Sequence, residues 1–317
     1  MIFDAKEFIQ EAIEETKKKV TGRAIIACSG GVDSTVAAAI VNEAVGDQLT
    51  AVFVDTGYLR KGEAEEVRAM YASIGLNLRF VDASEEYYEA LAGVSDPETK
   101  RKIIGERFIR IFERVAKEVD ADFLIQGTIA PDWIESGGGA RDVIKSHHNV
   151  GGLPKDMALT VYEPLRDLYK DEVRKVARQL ELPIAERQPF PGPGLAVRVL
   201  GEPTRERTAI VREACAIVEE ELEKAVASGE MTELPWQYFA ALLPVRSVGV
   251  QGDLRAYGET IAVRAVASID AMTATHMRIP HSVLDRISRR ITNKMKDQVN
   301  RVVYDITDKP PGSIEWE

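Results

Sequence analysis

Cys28-Ser29-Gly30-Gly31-Val32-Asp33-Ser34-Thr35 decides how the rest of the chain is read. An apolar run, Ala24-Ile25-Ile26-Ala27, precedes it, and a helical pattern of Val36, Ala37, Ile40, Val41 and Ala44 follows. Strand, glycine-rich turn and helix form the setting in which a loop binds phosphate. Glycines let backbone amides approach the anion, and the new helix adds free N–H groups and the positive end of its dipole. Ser29, Ser34 and Thr35 offer hydroxyl donors, and Asp33 can help position a cation. The loop holds no lysine, so it is not the GxxxxGK[ST] loop of common NTPases. Two glycines alone would read as a plain strand-to-helix turn capped by Ser34. The full SGGVDS word is much rarer and points to phosphate binding.

Outward from the loop, short apolar strands alternate with helical stretches. Strands are expected at Arg23–Cys28, at Ala51–Val54 running into Asp55-Thr56-Gly57, at Leu78–Val81 ending at Asp82, and at Phe123–Gln126 ending at Gly127-Thr128. Helical patterns fall at 4–19 and about 63–74, 84–92, 98–119 and 167–180. This alternation predicts an α/β fold, a doubly wound parallel sheet covered on both faces, with its ligand at the carboxyl ends of the strands. Residues 130–158 break the pattern: glycine is dense and charges are interleaved, as in a functional lid or a disordered loop. Leu159–Tyr162 reads as a further strand. The stretch Gln188-Pro189-Phe190-Pro191-Gly192-Pro193-Gly194-Leu195 is too stiff for helix or central strand and marks a domain boundary, as a linker or as a rigid wall of a binding site. Beyond it come a charged helix at 205–227, a strand or short helix at Trp236–Leu243, a strand at Thr260–Ala267, a helix at 281–296 and a strand at Arg301–Ile306. These predict a smaller α+β domain, dividing the chain into 1–198 and 199–317.

Composition narrows the function classes. With 317 residues, 45% of them hydrophobic and 29% charged, the chain reads as an ordinary globular protein. No apolar run approaches the roughly 20 residues of a membrane span, and Met1–Glu7 lacks the pattern of a secretory signal. Cys28 and Cys215 make no disulfide framework, which suits a cytoplasmic location. A net charge of −10 argues against binding a nucleic-acid backbone. Four histidines make no zinc site of the usual spacing.

Other groups carry possible chemistry. Lys100, Arg101 and Lys102 stand at the start of a long helix, where the dipole disfavours cations; that cost suggests an anion site over a solvated charge run. Asp132 and Glu135 suit proton transfer or metal binding, and equally the capping of a turn. Lys145, His147 and His148 lie further along the same loop, where histidine can donate to phosphate or simply sit on the surface. The last ten residues carry two prolines, a tryptophan and alternating charge, which reads as a docked tail. In it Lys309 suits a phosphate and Glu315 a base N–H, unless the tail packs only for stability.

At this point the chain resembles GMP synthase, in its ATP-pyrophosphatase part. The matching words are SGGVDST (29–35), KRKIIG (100–105), QGTIAPDWIES (126–136), KSHHNVGGLP (145–154), EPLRDLYKDEVR (163–174), PFPGPGLAVRVLGE (189–202), LLPVRSVGVQGD (242–253) and NRVVYDITDKPPGSIEWE (300–317). SGGVDS alone gives only the wider PP-loop N-type ATP pyrophosphatase superfamily, with its adenine-nucleotide alpha-hydrolase-like fold. The resemblance implies that ATP binds on Ser29, Gly30, Gly31, Val32, Asp33, Ser34 and Thr35, with Mg²⁺ at Asp33. It implies XMP contacts from Arg101, Lys309 and Glu315, and a catalytic lid carrying Asp132, Glu135, Lys145, His147 and His148. The implied reaction is adenylation of XMP at O2, then amination by ammonia to give GMP, AMP and pyrophosphate, the last step of de novo guanine nucleotide synthesis. The family's second domain implies a homodimer.

Many members carry an N-terminal glutamine amidotransferase domain with a catalytic cysteine. Here SGGVDS begins at residue 29 after one helix, and Cys28 lies in the core strand. The chain therefore looks like the synthetase subunit of a two-subunit, archaeal-type enzyme, using free ammonia alone and glutamine only with a separate glutaminase chain. Another PP-loop ligase, such as NAD synthetase or a tRNA-thiolating enzyme, is the alternative. The tail speaks against both and the acidic charge against the tRNA enzyme. A non-catalytic nucleotide sensor is disfavoured by the intact loop, lid and tail words.

Overall fold

Five short strands, β1 (Ala24–Ala27), β2 (Leu49–Asp55), β3 (Leu78–Asp82), β4 (Phe123–Ile125) and β5 (Thr160–Tyr162), build one sheet in the order β3-β2-β1-β4-β5. Every pairing is parallel, as the alternation predicts. The computed structural model describes residues 3–130, 159–183, 188–251, 254–269 and 271–317. Asp132, Glu135, Lys145, His147 and His148 therefore lie outside the described residues. Ile25, Ile26, Ala51, Val52 and Phe53 are buried, so neighbouring side chains on opposite faces of the central strands are both covered.

The sheet's strand order reverses at β1. From β1 the chain steps outward to β2 and β3, then returns to lay β4 on the other side of β1. A ligand in an open parallel sheet sits where two such neighbours diverge at their carboxyl ends. The SGGVDS loop follows β1, and Gly127-Thr128 follows β4.

The helices have local causes. In α1 (Ala5–Lys19) Asp4 caps the first turn through Lys6 and Glu7 amides at 2.9 and 3.2 Å, and Lys17, Lys18 and Lys19 complement the far end of the dipole. The α2 helix (Val32–Val45) buries Val36, Ala37, Ile40 and Val41. Further helices are α3 (Glu63–Ser73), α4 (Ser84–Ala90), α5 (Pro97–Glu118) and α6 (Lys170–Gln179). No described helix is long and apolar enough to cross a membrane.

A second sheet is built from β6 (Gln237–Gln251), β7 (Leu254–Ala267), β8 (Thr275–His276) and β9 (Val299–Asp305), with α7 (Arg205–Ala227) and α8 (His281–Lys294). Strand β7 pairs antiparallel with β6 and β8 and parallel with β9. Strands β6 and β7 run well past the expected Trp236–Leu243 and Thr260–Ala267. Pro244 reads as a strand stop because it lacks a backbone N–H, yet the ladder absorbs it as a bulge between Leu243 and Arg246 and continues.

The chain clusters into two units. One comprises Met1–Thr56, Gly62–Ala83 and Ile104–Arg187; the other comprises Gly57–Lys61, Ser84–Ile103 and Gln188–Glu317. A cut at 198/199 would thus place three stretches of the second unit, 57–61, 84–103 and 188–198, in the first. The proline-rich stretch lies inside the second unit. Gly194–Arg198 form a buried 3-10 turn rather than an exposed linker, and Leu195 N donates to Tyr58 O at 2.8 Å.

Candidate active site

The loop in the first unit is shaped from its own residues. Gly30 takes φ +73°, a conformation glycine adopts without penalty. Gly31 is the N-cap of α2, and no side chain caps the helix. The Val32, Asp33 and Ser34 amides are the ones a helix start leaves without an intrahelical partner, while Thr35 N already reaches Gly31 O at 3.2 Å. Ser29 is exposed, and its Oγ lies 3.3 Å from Ser34 Oγ and accepts from Gly31 N at 3.3 Å. Three outward amides, two hydroxyls and the end of a helix dipole suit an anion with several oxygens.

Gly127 forms the loop's other flank. A Cβ there would lie 2.9 Å from Ser34 N and 3.0 Å from Asp33 C, so the loop packs against bare backbone. Asp33 uses one carboxylate oxygen: Lys170 Nζ, at the start of α6, meets Oδ2 at 2.6 Å. Asp33 Oδ1 is buried with no hydrogen-bond partner. Thr35 is turned inward, donating to Gly31 O at 2.8 Å and lying 3.1 Å from the buried Tyr71 hydroxyl. Burial pushes the Cys28 thiol up to about 12, so it stays protonated and unreactive beneath the loop.

The second unit holds the C-terminal tail by buried cations. Arg198, 1% exposed, takes Glu315 in a fork, Nε to Oε2 at 3.1 Å and one terminal nitrogen to Oε1 at 2.9 Å. Gln237 Nε2 adds a bond to Oε1 at 2.9 Å, and the guanidinium lies 4.2 Å from the Phe239 ring centroid. Burial works against the Arg198 charge, but Glu315 more than offsets it and holds the guanidinium above its ordinary pKa. Lys100 is wholly buried; its Nζ donates to Ala196 O at 3.2 Å, to Val199 O at 2.7 Å and to the Glu317 carboxylate. Burial lowers its pKa, with Glu317 opposing. Arg264 binds the carbonyls of Thr307, Ser313 and Ile314 at 2.6, 2.9 and 3.1 Å. Lys309 Nζ donates to Ala271 O at 2.8 Å, and Arg101 pairs with Glu98.

Known proteins resemble this chain from end to end. The B subunit of the glutamine-hydrolyzing GMP synthase of Methanopyrus kandleri is 60% identical over 320 residues, covering 100% of both chains. The protein of the same name from Thermococcus kodakarensis is 61% identical, over 98% of this chain and 99% of its own. That from Methanocaldococcus jannaschii is 57% identical over 100% of both. This chain belongs to the family of GMP synthase B subunits. The profile of the GMP synthase C terminal domain matches residues 222–316, and that of NAD synthase matches residues 1–109.

In this chain, the loop residues Ser29 to Thr35 come together at the strand-order reversal, with Thr35 directed inward. Lys309 and Glu315 lie on the docked tail, and Arg101 on α5. The three-cation run at 100–102 is divided: Lys100 is committed to the chain's own carbonyls and Glu317. Sequence reading placed Gly127 at a strand end and Lys100 in a candidate anion site, but missed Tyr71 and Lys170 around the loop and Arg198 under the tail. Lys170 and Arg198 stand inside long motif words, and Tyr71 stands in none. Among the described residues no three His, Cys, Asp or Glu side chains cluster as metal ligands.

Proposed function

We propose that this chain makes GMP from XMP, ATP and ammonia, releasing AMP and pyrophosphate. The observation that carries the reading is the uncapped start of α2, flanked by Gly127 at the reversal of strand order, in a chain 60% identical to a GMP synthase B subunit along its whole length. The β- and γ-phosphates of ATP rest on the 32–34 amides and the Ser29 and Ser34 hydroxyls. There the donors already point at the charge that builds as pyrophosphate leaves, and need no rearrangement. Xanthine O2 attacks the α-phosphorus; its bond to phosphorus forms as the bond to pyrophosphate breaks. Ammonia then adds at C2, and AMP departs with the former O2 oxygen. Adenylation thus converts a poor leaving oxygen into a good one.

Lys170 adds a cation to a loop that has none of its own. The fit of Mg²⁺ rests on Asp33 Oδ1, a buried and unpartnered carboxylate oxygen. With no further ligand cluster among the described residues, Asp33 would hold the ion together with phosphate oxygens and water. When bound, Mg²⁺ supplies charge neutralisation of the pyrophosphate.

Arg101, Lys309 and Glu315 are assigned to XMP, and Asp132, Glu135, Lys145, His147 and His148 to catalysis on the lid segment. A separate glutaminase chain supplies the ammonia, a reading supported by the relatives' names, which make each of them the B subunit of a glutamine-hydrolyzing enzyme. The enzyme acts in the cytoplasm. It works as a homodimer through its second unit, supported by exposed Val245, Val248, Val250 and Tyr257 on the β6–β7 hairpin.

The test mixes the purified chain with ATP, Mg²⁺, XMP and ammonium. Equal amounts of GMP, AMP and pyrophosphate are expected, with glutamine inert until a glutaminase chain is added. No AMP or GMP with ammonium would refute the reading, and vigorous use of glutamine by the chain alone would refute the two-subunit form.

A further inference from the structure

Beneath the anion loop lies a phenol that the proposed chemistry does not use. Tyr71, on α3, is wholly buried. Its hydroxyl is 3.1 Å from Thr35 Oγ1. One side chain therefore touches the first turn of α2, just after the loop's glycines.

The directions of these bonds follow from counting protons. A hydroxyl has one to give. Thr35 gives its own to Gly31 O at 2.8 Å, so it must accept from Tyr71. The chain reads Tyr71 O–H to Thr35 Oγ1 and Thr35 O–H to Gly31 O. Fixing Gly31 O has a consequence at the next residue. Across a trans peptide the C=O and the following N–H point in opposite directions. Drawing Gly31 O inward therefore aims the Val32 N–H outward, where an anion sits.

We propose that Tyr71 is the positioning residue of the anion loop, setting its affinity for a pyrophosphate group through Thr35 and the Gly31 carbonyl. This rests on the phosphate-binding reading above and adds to it a residue 36 positions away from its partner in the sequence. Burial holds the phenol pKa well above its ordinary value, so the proton that orders the chain stays in place through the neutral range.

The test is Tyr71→Phe in the full chain, which removes one oxygen and keeps the ring volume. Inorganic pyrophosphate with Mg²⁺ is the probe, titrated calorimetrically, beside KM values for ATP and XMP. One lost hydrogen bond in a charge-binding loop should raise the pyrophosphate Kd and the ATP KM together by about five- to tenfold, leaving the XMP KM and kcat within twofold. Thr35→Val should give a similar rise, and the double variant no more than either alone, because both break the same chain. Pyrophosphate affinity within twofold of the unsubstituted chain would overturn the assignment, even if the melting temperature fell. An equal rise in the XMP KM would also overturn it, since that marks general loosening. If the unsubstituted chain fails to bind pyrophosphate, the phosphate-binding reading itself falls, and this assignment with it.

Discussion

Gly127 does its work by lacking a side chain. Its Cα faces Ser34 N and the Asp33 carbonyl carbon so closely that a methyl group would meet backbone on both, and backbone in a helix start cannot yield cheaply. Gly127→Ala should therefore displace the loop and raise the ATP KM by about 10- to 100-fold, with the XMP KM unchanged. Steady-state kinetics with each substrate varied in turn checks this. Arg198 is the opposite case. Its guanidinium is buried and held by Glu315, so Arg198→Ala leaves a carboxylate whose side chain is only 18% exposed without its cation. It should cost about 3–5 kcal/mol in urea unfolding. Both residues show where sequence reading stops. Ser29 to Thr35 were legible because the loop, its strand and its helix are contiguous. Lys170 meets Asp33 across 137 positions and Arg198 meets Glu315 across 117, and no local pattern announces such pairs.

Helix α7 is fastened to α8 by charge. Arg290 bonds Glu221 and Glu220 at 2.7 and 2.6 Å; Arg286 bonds Glu221 and Glu230 at 2.9 and 2.6 Å. Burial raises the Glu221 pKa, but the bonds from Arg290 and Arg286 outweigh it and leave it below 4.5. The Glu220 carboxyl is lowered first by its Arg290 bond, and Glu230 by Arg286 and Ser282. Each group binds its proton more weakly folded than unfolded. The stability they contribute is present above pH 4.5 and is lost as pH falls below it through the folded-state values. Glu221→Gln should flatten that acid limb, which melting temperatures from about pH 6 down to about pH 3 will show. The helices themselves were legible from periodicity, and so was the parallel sheet. The length of β6 was not. Pro244 carries the local signature of a strand end, and it is the long-range pairing with β7, resumed at Arg246 with Glu259 and continued to Gln251 with Leu254, that carries the ladder on.

At the scale of the molecule, two units divide the work. The first carries the loop, between β1 and β4, that we propose binds phosphate; the second carries a tail pinned by Arg198, Lys100 and Arg264. The β6–β7 hairpin of the second unit leaves Val248 and Tyr257 exposed directly opposite each other. Replacing both with Asp should convert a dimer to a monomer in sedimentation, and a monomer before replacement would contradict the dimer. The central claim is that the oxygen of XMP becomes the leaving group by taking the adenylyl group of ATP. XMP carrying ¹⁸O at C2 tests it most directly, with AMP and pyrophosphate analysed by mass spectrometry after turnover with ammonium. The label should appear in the phosphate of AMP and nowhere in pyrophosphate. Its appearance in pyrophosphate, or its loss to water with unlabelled AMP, would contradict the account.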